Sequence, residues 1–216
     1  MLEHIGDSPY LVKFVGGAVS PKFMYVLTEY EPGGSLEAYL ASNRPSAELR
    51  LRIMLDIARG MAVIHGAGVI HRNLKPVNVM MAPHARADSA VVCRVTDFGF
   101  SRLVGDGTLA STMTAGVGSP LYMAPELAAG AARYARSADV FSYAVTCVEV
   151  WNGARAYSEY AFRDPFALMA AVAQRGVRPG LRSDCPPALC ALLQQCWATD
   201  PSSRPTFPAI VSTLRQ

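Results

Sequence analysis

Residues 71–78 read His71-Arg72-Asn73-Leu74-Lys75-Pro76-Val77-Asn78, a polar and charged run inside an otherwise apolar chain. Three further short strings follow in order: Asp97-Phe98-Gly99, Ala124-Pro125-Glu126 and Arg204-Pro205. Each alone turns up by chance in many chains, but their joint order and spacing is specific. The first two fall in stretches, 69–81 and 90–97, that read as strand and loop. Upstream, Leu49, Ile53, Ile57, Met61 and Ile64 recur every three or four positions, which predicts a helix capped by Ser46 and stopped by Gly66 and Gly68. Before it, 11–15 and 23–30 are short β-branched and aromatic runs separated by Gly16, Gly17 and Pro21, an expected antiparallel pair. Pro32-Gly33-Gly34 ends the second run, and Ser35 is placed to cap a short helix over 36–40. Downstream, 101–120 is rich in Gly, Ser and Thr without periodicity and reads as loop. Val140, Ala144, Val148 and Trp151 mark a second strong helix. From about 164 the chain is helical again, broken at 178–180 and 186–187. Two strands followed by a mostly helical body make this an expected α+β fold.

The 216 residues suffice for one large domain with a real core. A hydrophobic fraction of 51% and a charged fraction of 17% are globular values and exclude a disordered chain. No apolar run reaches the roughly eighteen residues of a membrane helix. The best stretch, 140–151, is interrupted by Glu149. The N-terminus shows no basic-then-apolar signal pattern. Five cysteines, an odd number without metal-site spacing, are expected as reduced thiols in a cytoplasmic protein, with Cys147 a small hydrophobe inside a helix. The net charge is +3 with scattered basic residues, so no nucleic-acid or anionic-lipid surface is expected. Lysine occurs only at 13, 22 and 75.

In order and spacing the four strings resemble the catalytic loop, metal-binding loop, activation-segment end and closing arginine of eukaryotic-type protein kinases. Around them, 26–36 resembles a kinase hinge, 118–126 a substrate-docking loop, 138–145 the central helix and 196–207 the final helices. The hinge and the final helices are most similar to the tyrosine-kinase-like group. Lys75, two residues after position 73, follows the serine/threonine pattern. The resemblance covers essentially the whole chain: 1–32 as a remnant of the upper lobe with the hinge, 33–216 as the lower lobe of one incomplete kinase domain.

That resemblance implies ATP, Mg²⁺ and a protein substrate or protein partner. Phosphoryl transfer needs a divalent metal on the phosphates, and Mg²⁺ prefers carboxylate and amide oxygens. Asp97 and Asn78 are such a pair by the family pattern; alternatively both merely hydrogen-bond loop backbone. Lys75 would place positive charge near the transferred group, or else is a solvated loop lysine. Thr28 stands at the family's gatekeeper position, Glu29 and Glu31 in the hinge with backbone roles, and Met80 beneath an adenine. Glu126 with Arg204 reads as a structural ion pair. Arg72 either receives a phosphate from the activation segment, where Thr108, Ser111, Thr112 and Thr114 are candidates, or braces its loop. His71 and Phe98 resemble core residues of the regulatory stack. Gly99, Ser119 and Asp139 occupy structural or regulatory positions of the pattern.

Two departures follow. Asn73 stands where the family's catalytic aspartate accepts the substrate hydroxyl's proton, and loss of a general base typically costs about 10²–10⁴ in rate. The loose transition state asks little of a base, so residual activity is compatible with the change. Second, the family's glycine-rich loop, phosphate-binding lysine and ion-pairing glutamate have no counterpart here. Lys13 and Lys22 lack the V-A-x-K setting, and Glu3 is too close to the Ser8-Pro9 turn. The expectation is either a serine/threonine kinase whose remaining lobe lies upstream, or a pseudokinase that keeps the helical lobe as a docking module. For the 216 residues themselves, little or no phosphotransfer is expected.

Overall fold

A computed structural model of the chain describes residues 6–20, 23–97, 102–103, 119–131 and 134–216. The fold is α+β: short antiparallel strand pairs around a mostly helical body. The first pair joins β1 (Phe14–Val19) to β2 (Met24–Thr28), in a register that sets Gly17 opposite Val26. β1 thus starts later than the expected 11–15 run and passes through Gly16 and Gly17, the residues read as separators. The turn is built instead by Ser20, whose hydroxyl accepts the Phe23 N–H at 3.0 Å. Gly17 suits the strand because a Cβ there would lie 3.1 Å from the Tyr25 carbonyl oxygen. Residues 11 and 12 are drawn elsewhere: Leu11 is buried in the main core, and the Val12 N–H donates to the Val95 carbonyl at 2.9 Å. On the β1–β2 pair, Val15, Val19, Tyr25 and Leu27 are exposed.

Helix α1 (Leu36–Ser42) is capped by Ser35, and α2 (Ala47–Gly66) by Ser46, each hydroxyl accepting a backbone N–H three residues on. Gly68, with φ +76°, turns the chain from α2 into β3 (Val69–Ile70). The chain then makes a 3₁₀ turn (Pro76–Asn78), and β4 (Val79–Met81) pairs with β5 (Cys93–Val95), Met80 opposite Arg94. β3 pairs with β6 (Arg102–Leu103). A strand therefore stands within the stretch expected as loop, because the β3 backbone takes its ladder partner there. Residues 104–118 of that stretch lie outside the described residues.

Helix α3 (Pro125–Ala128) is followed by α4 (Arg136–Asn152), which Gly153 ends at φ +62°. The expected Val140–Trp151 stripe understates its burial: all fourteen residues from 138 to 151 are buried. A helix covered on every side is the core element around which others pack. Ser142 and Thr146 are satisfied locally, each donating to the carbonyl four residues back. α5 (Pro165–Gln174), α6 (Pro187–Cys196) and α7 (Phe207–Leu214) complete the body, each with proline in its first turn. Phe207 of α7 lies edge-on to His65 and Tyr143 at 4.9 and 5.5 Å between ring centres, locking α2, α4 and α7 together. All five cysteines are free thiols. Among the described residues no helix is long and apolar enough to cross a membrane.

Candidate active site

The central helix carries the anchor. Asp139, fully buried in the first turn of α4, accepts the His71 N–H at 2.8 Å and the Arg72 N–H at 2.9 Å on separate oxygens. His65 Nε2 lies 2.8 Å from Oδ2, and the Tyr134 hydroxyl 3.4 Å from Oδ1. One carboxylate thereby fixes two consecutive amides of the polar loop. Arg72 has φ +71°, a left-handed conformation that is strained for a residue with a side chain, and its guanidinium lies over the Tyr134 ring. His71 is wholly buried; its Nδ1 accepts the Asn73 N–H at 3.2 Å, so the ring proton sits on Nε2, 2.9 Å from the Thr96 carbonyl. Burial lowers the His71 pKa, against the opposing pull of the Asp139 carboxylate.

The β4–β5 pairing brings the next two motif residues together. Asn78 precedes β4 and Asp97 lies just beyond β5, the Thr96 N–H donating to the Asn78 carbonyl at 2.9 Å. The Asn78 side-chain amide donates to the Asn73 carbonyl at 2.8 Å and to Asp97 Oδ2 at 3.0 Å. The Asn73 side-chain amide donates to the same Oδ2, also at 3.0 Å. Asp97, like Arg72, is left-handed, with φ +65°. Among the described residues, two of the four non-glycine residues with positive φ, Arg72 and Asp97, therefore lie at or next to this one contact.

The donor chemistry fits Mg²⁺. Asn78 and Asp97 meet through the Asn78 amide nitrogen, and among the described residues nothing donates to Asn78 Oδ1, so a carboxylate and an amide of the hard-oxygen type lie on neighbouring side chains. No group of three or more His, Cys, Asp or Glu among the described residues could hold a metal by itself. Such a pair suits an ion that takes its remaining ligands from phosphate oxygens and water.

Lys75 Nζ donates to Ser119 Oγ at 2.8 Å, tying the polar loop to the segment before the 3₁₀ turn Pro120–Tyr122. Beside Lys75 opens a cleft of about 620 Å³, its walls including Leu121, Tyr157, Phe162 and Arg163. Tyr157 is left-handed, with φ +61°, and among the described residues its buried hydroxyl has no hydrogen-bond partner. Glu126 and Arg204 meet through two bonds of 2.8 and 2.7 Å, and Arg204 also donates to the Ala198 and Ser137 carbonyls.

In the segment expected as a hinge, Thr28 ends β2 and Glu29 is exposed, its N–H donating to the Lys13 carbonyl. Glu31 is buried: Arg94 Nη1 contacts both of its carboxylate oxygens at 2.9 Å, and Arg94 Nε reaches the Pro9 carbonyl. Among the described residues the Glu29 carbonyl and the Glu31 N–H have no backbone partner. Gly33 packs on β4 so closely that a Cβ would lie 2.1 Å from the Met81 carbonyl oxygen. Met80, half-buried, lies on β4 opposite Arg94.

Phe98, Gly99 and the four hydroxyl residues Thr108, Ser111, Thr112 and Thr114 lie outside the described residues. Arg94, His65 and Tyr157 enter the site region without having been singled out in the sequence. The only signal for Arg94 was a lone charge inside a short apolar strand. Nothing local marks the other two.

The sequence profile described as protein tyrosine and serine/threonine kinase matches residues 1–214. The chain is 35% identical over 211 residues to serine/threonine/tyrosine-protein kinase HT1 of Arabidopsis thaliana, covering 96% of this chain and 51% of that protein. It is 33% identical over 208 residues to serine/threonine-protein kinase STY17 of the same plant, covering 95% and 34% respectively. With the RGS domain-containing serine/threonine-protein kinase A of Dictyostelium discoideum it shares 34% over 201 residues, 92% of this chain and 16% of that one. The chain thus spans about half the length of the first of these relatives and less of the others. Motif order, site geometry and a profile match across nearly every residue agree: this chain belongs to the protein tyrosine and serine/threonine kinase family.

Proposed function

We propose that residues 33–216 are the lower lobe of a serine/threonine-type, cytoplasmic protein kinase domain, and 1–32 its hinge with part of the upper lobe. ATP with Mg²⁺ is handled at Asn78 and Asp97, and phosphoryl transfer to a protein hydroxyl is impaired. The observation that carries this reading is the Asn73 side chain: it meets Asp97 as an amide donor, 3.0 Å away. An amide has no basic oxygen to take up a hydroxyl proton, so the loop keeps its shape without its base. Adenine offers one donor and one acceptor on adjacent edges, which the Glu29 carbonyl and the Glu31 N–H match, above the side chain of Met80. When bound, Mg²⁺ would neutralise phosphate charge. Lys75, held by Ser119, adds a fixed positive charge beside the cleft in which a protein segment would lie. The names of the three relatives support a hydroxyl acceptor.

A second reading, a catalytically inactive docking module, is favoured by the same Asn73 amide, which leaves the polar loop and the cleft beside Lys75 in place without a base at position 73. Incubation of the purified chain with labelled ATP and generic protein substrates is expected to give no incorporation above background. Incorporation that Asp97→Ala abolishes would overturn the impairment.

A further inference from the structure

We infer that Asn73 is a positioning residue that holds the Asp97 carboxylate where a cation would otherwise hold it, so that the Asn73 amide competes with a metal for Asp97 Oδ2. This rests on the reading of Asn78 and Asp97 as the metal pair. Oδ2 of Asp97 receives two amide hydrogens, from Asn73 and Asn78, each at 3.0 Å between heavy atoms. The second amide hydrogen of Asn78 is fixed on the Asn73 carbonyl at 2.8 Å, closing a ring of three residues. The amide orientation of Asn73 is dictated by its neighbour, since an amide oxygen turned toward a carboxylate oxygen at that distance would be repelled. Neither partner can slide away easily: the Asn73 N–H is tied to His71 Nδ1, and Asp97 sits in a left-handed conformation.

A carboxylate at position 73 would set two anionic oxygens about 3 Å apart, an arrangement kept together by a proton or a cation. The amide removes that need, because it donates to the carboxylate directly. Amide hydrogens aimed at Oδ2 carry partial positive charge and oppose a cation arriving at the same oxygen. Asn73 therefore changes metal binding independently of its effect on proton transfer.

The test measures Mn²⁺ binding to the full chain by the electron paramagnetic resonance of free Mn²⁺, alongside thermal unfolding with and without Mn²⁺. Wild type is compared with Asn73→Ala, Asn73→Asp and Asp97→Ala. Asn73→Ala removes the competing amide without adding charge and is expected to tighten Mn²⁺ by about tenfold or more, the size of one hydrogen bond to a charged group. Asn73→Asp is expected to tighten it at least as much, with an unfolding midpoint that rises with Mn²⁺ more than the wild type's. Binding that depends on Asp97 but is equal or weaker in Asn73→Ala would overturn the inference and leave the metal site standing. If Asn73→Ala does not fold, equal Mn²⁺ responses of wild type and Asn73→Asp would overturn it instead. No Asp97-dependent binding in any variant would overturn the metal-site reading itself.

Discussion

Replacing Asp139 by asparagine changes one atom and tests the anchor of the whole site. In the wild type each carboxylate oxygen serves one backbone amide, Oδ2 that of His71 at 2.8 Å and Oδ1 that of Arg72 at 2.9 Å. Asparagine has one oxygen, so whichever way it turns, its NH₂ group faces an N–H donor. That leaves one buried amide unsatisfied, at about 1–3 kcal/mol, and reduces the remaining bonds from charge-assisted to neutral, about 1 kcal/mol each. Release of a buried charge runs the other way, though its desolvation is already offset here by up to four donors. The net loss is therefore about 3 kcal/mol, against a total stability of about 5–15 kcal/mol. With a urea m-value of about 2–3 kcal/mol/M, the denaturation midpoint should fall by about 1–1.5 M. Amide exchange at His71 and Arg72 should accelerate with it, because the strained Arg72 backbone loses its tether. A midpoint within about 0.3 M of wild type, with unchanged exchange at both amides, would refute the assignment of Asp139 as anchor.

Two shorter predictions rest on the same geometry. His71 is buried in its neutral form with its pKa lowered from 6.5, so below that value the unfolded chain binds a proton that the folded chain resists. Stability should fall as pH drops from about 6.5 toward the folded pKa, by up to about 1.4 kcal/mol per pH unit. In urea titrations from pH 8 to 5, His71→Phe should be less stable throughout but with a flatter slope; parallel curves would discount His71 as the titrating group. Gly33→Ala would place a Cβ 2.1 Å from the Met81 carbonyl oxygen, a contact that only backbone movement relieves. Overpacking of this kind costs about 1–3 kcal/mol. The unfolding midpoint should then drop by about 2–12 °C, and a drop under about 1 °C would show that the segment around Gly33 slides freely on β4.

What the sequence disclosed is what local pattern encodes. The period and caps of α2 depend on residues within one or two turns, so both ends were readable at Ser46 and Gly66. The motif strings were readable for the same reason. The β1 start was not, because Leu11 and Val12 are claimed by β5, more than eighty residues downstream. The Arg94–Glu31 clamp spans 63 positions and exists only in the β4–β5 register, which no periodicity marks. The burial of α4 on every side was hidden by its serine, threonine and glutamate. Those look solvent-facing until their bonds to Ala138, Ser142, Tyr122 and Ala156 are known.

The same distinction separates the scaffold of this site from its chemistry. Asn73 is tied to the fold through its main chain: its N–H goes to His71 Nδ1 and its carbonyl receives the Asn78 amide. Neither bond depends on what side chain stands at 73. The strain beside it, at Arg72, is held through the Arg72 N–H by Asp139, again without help from position 73. A loop built this way can exchange carboxylate for amide and keep its path, since among the described residues the side-chain bond that changes character is the one at 3.0 Å to Asp97. The departure from the family pattern is therefore a change of local charge and proton affinity on an intact frame. Its consequences should be sought first in metal and nucleotide binding, where that charge acts.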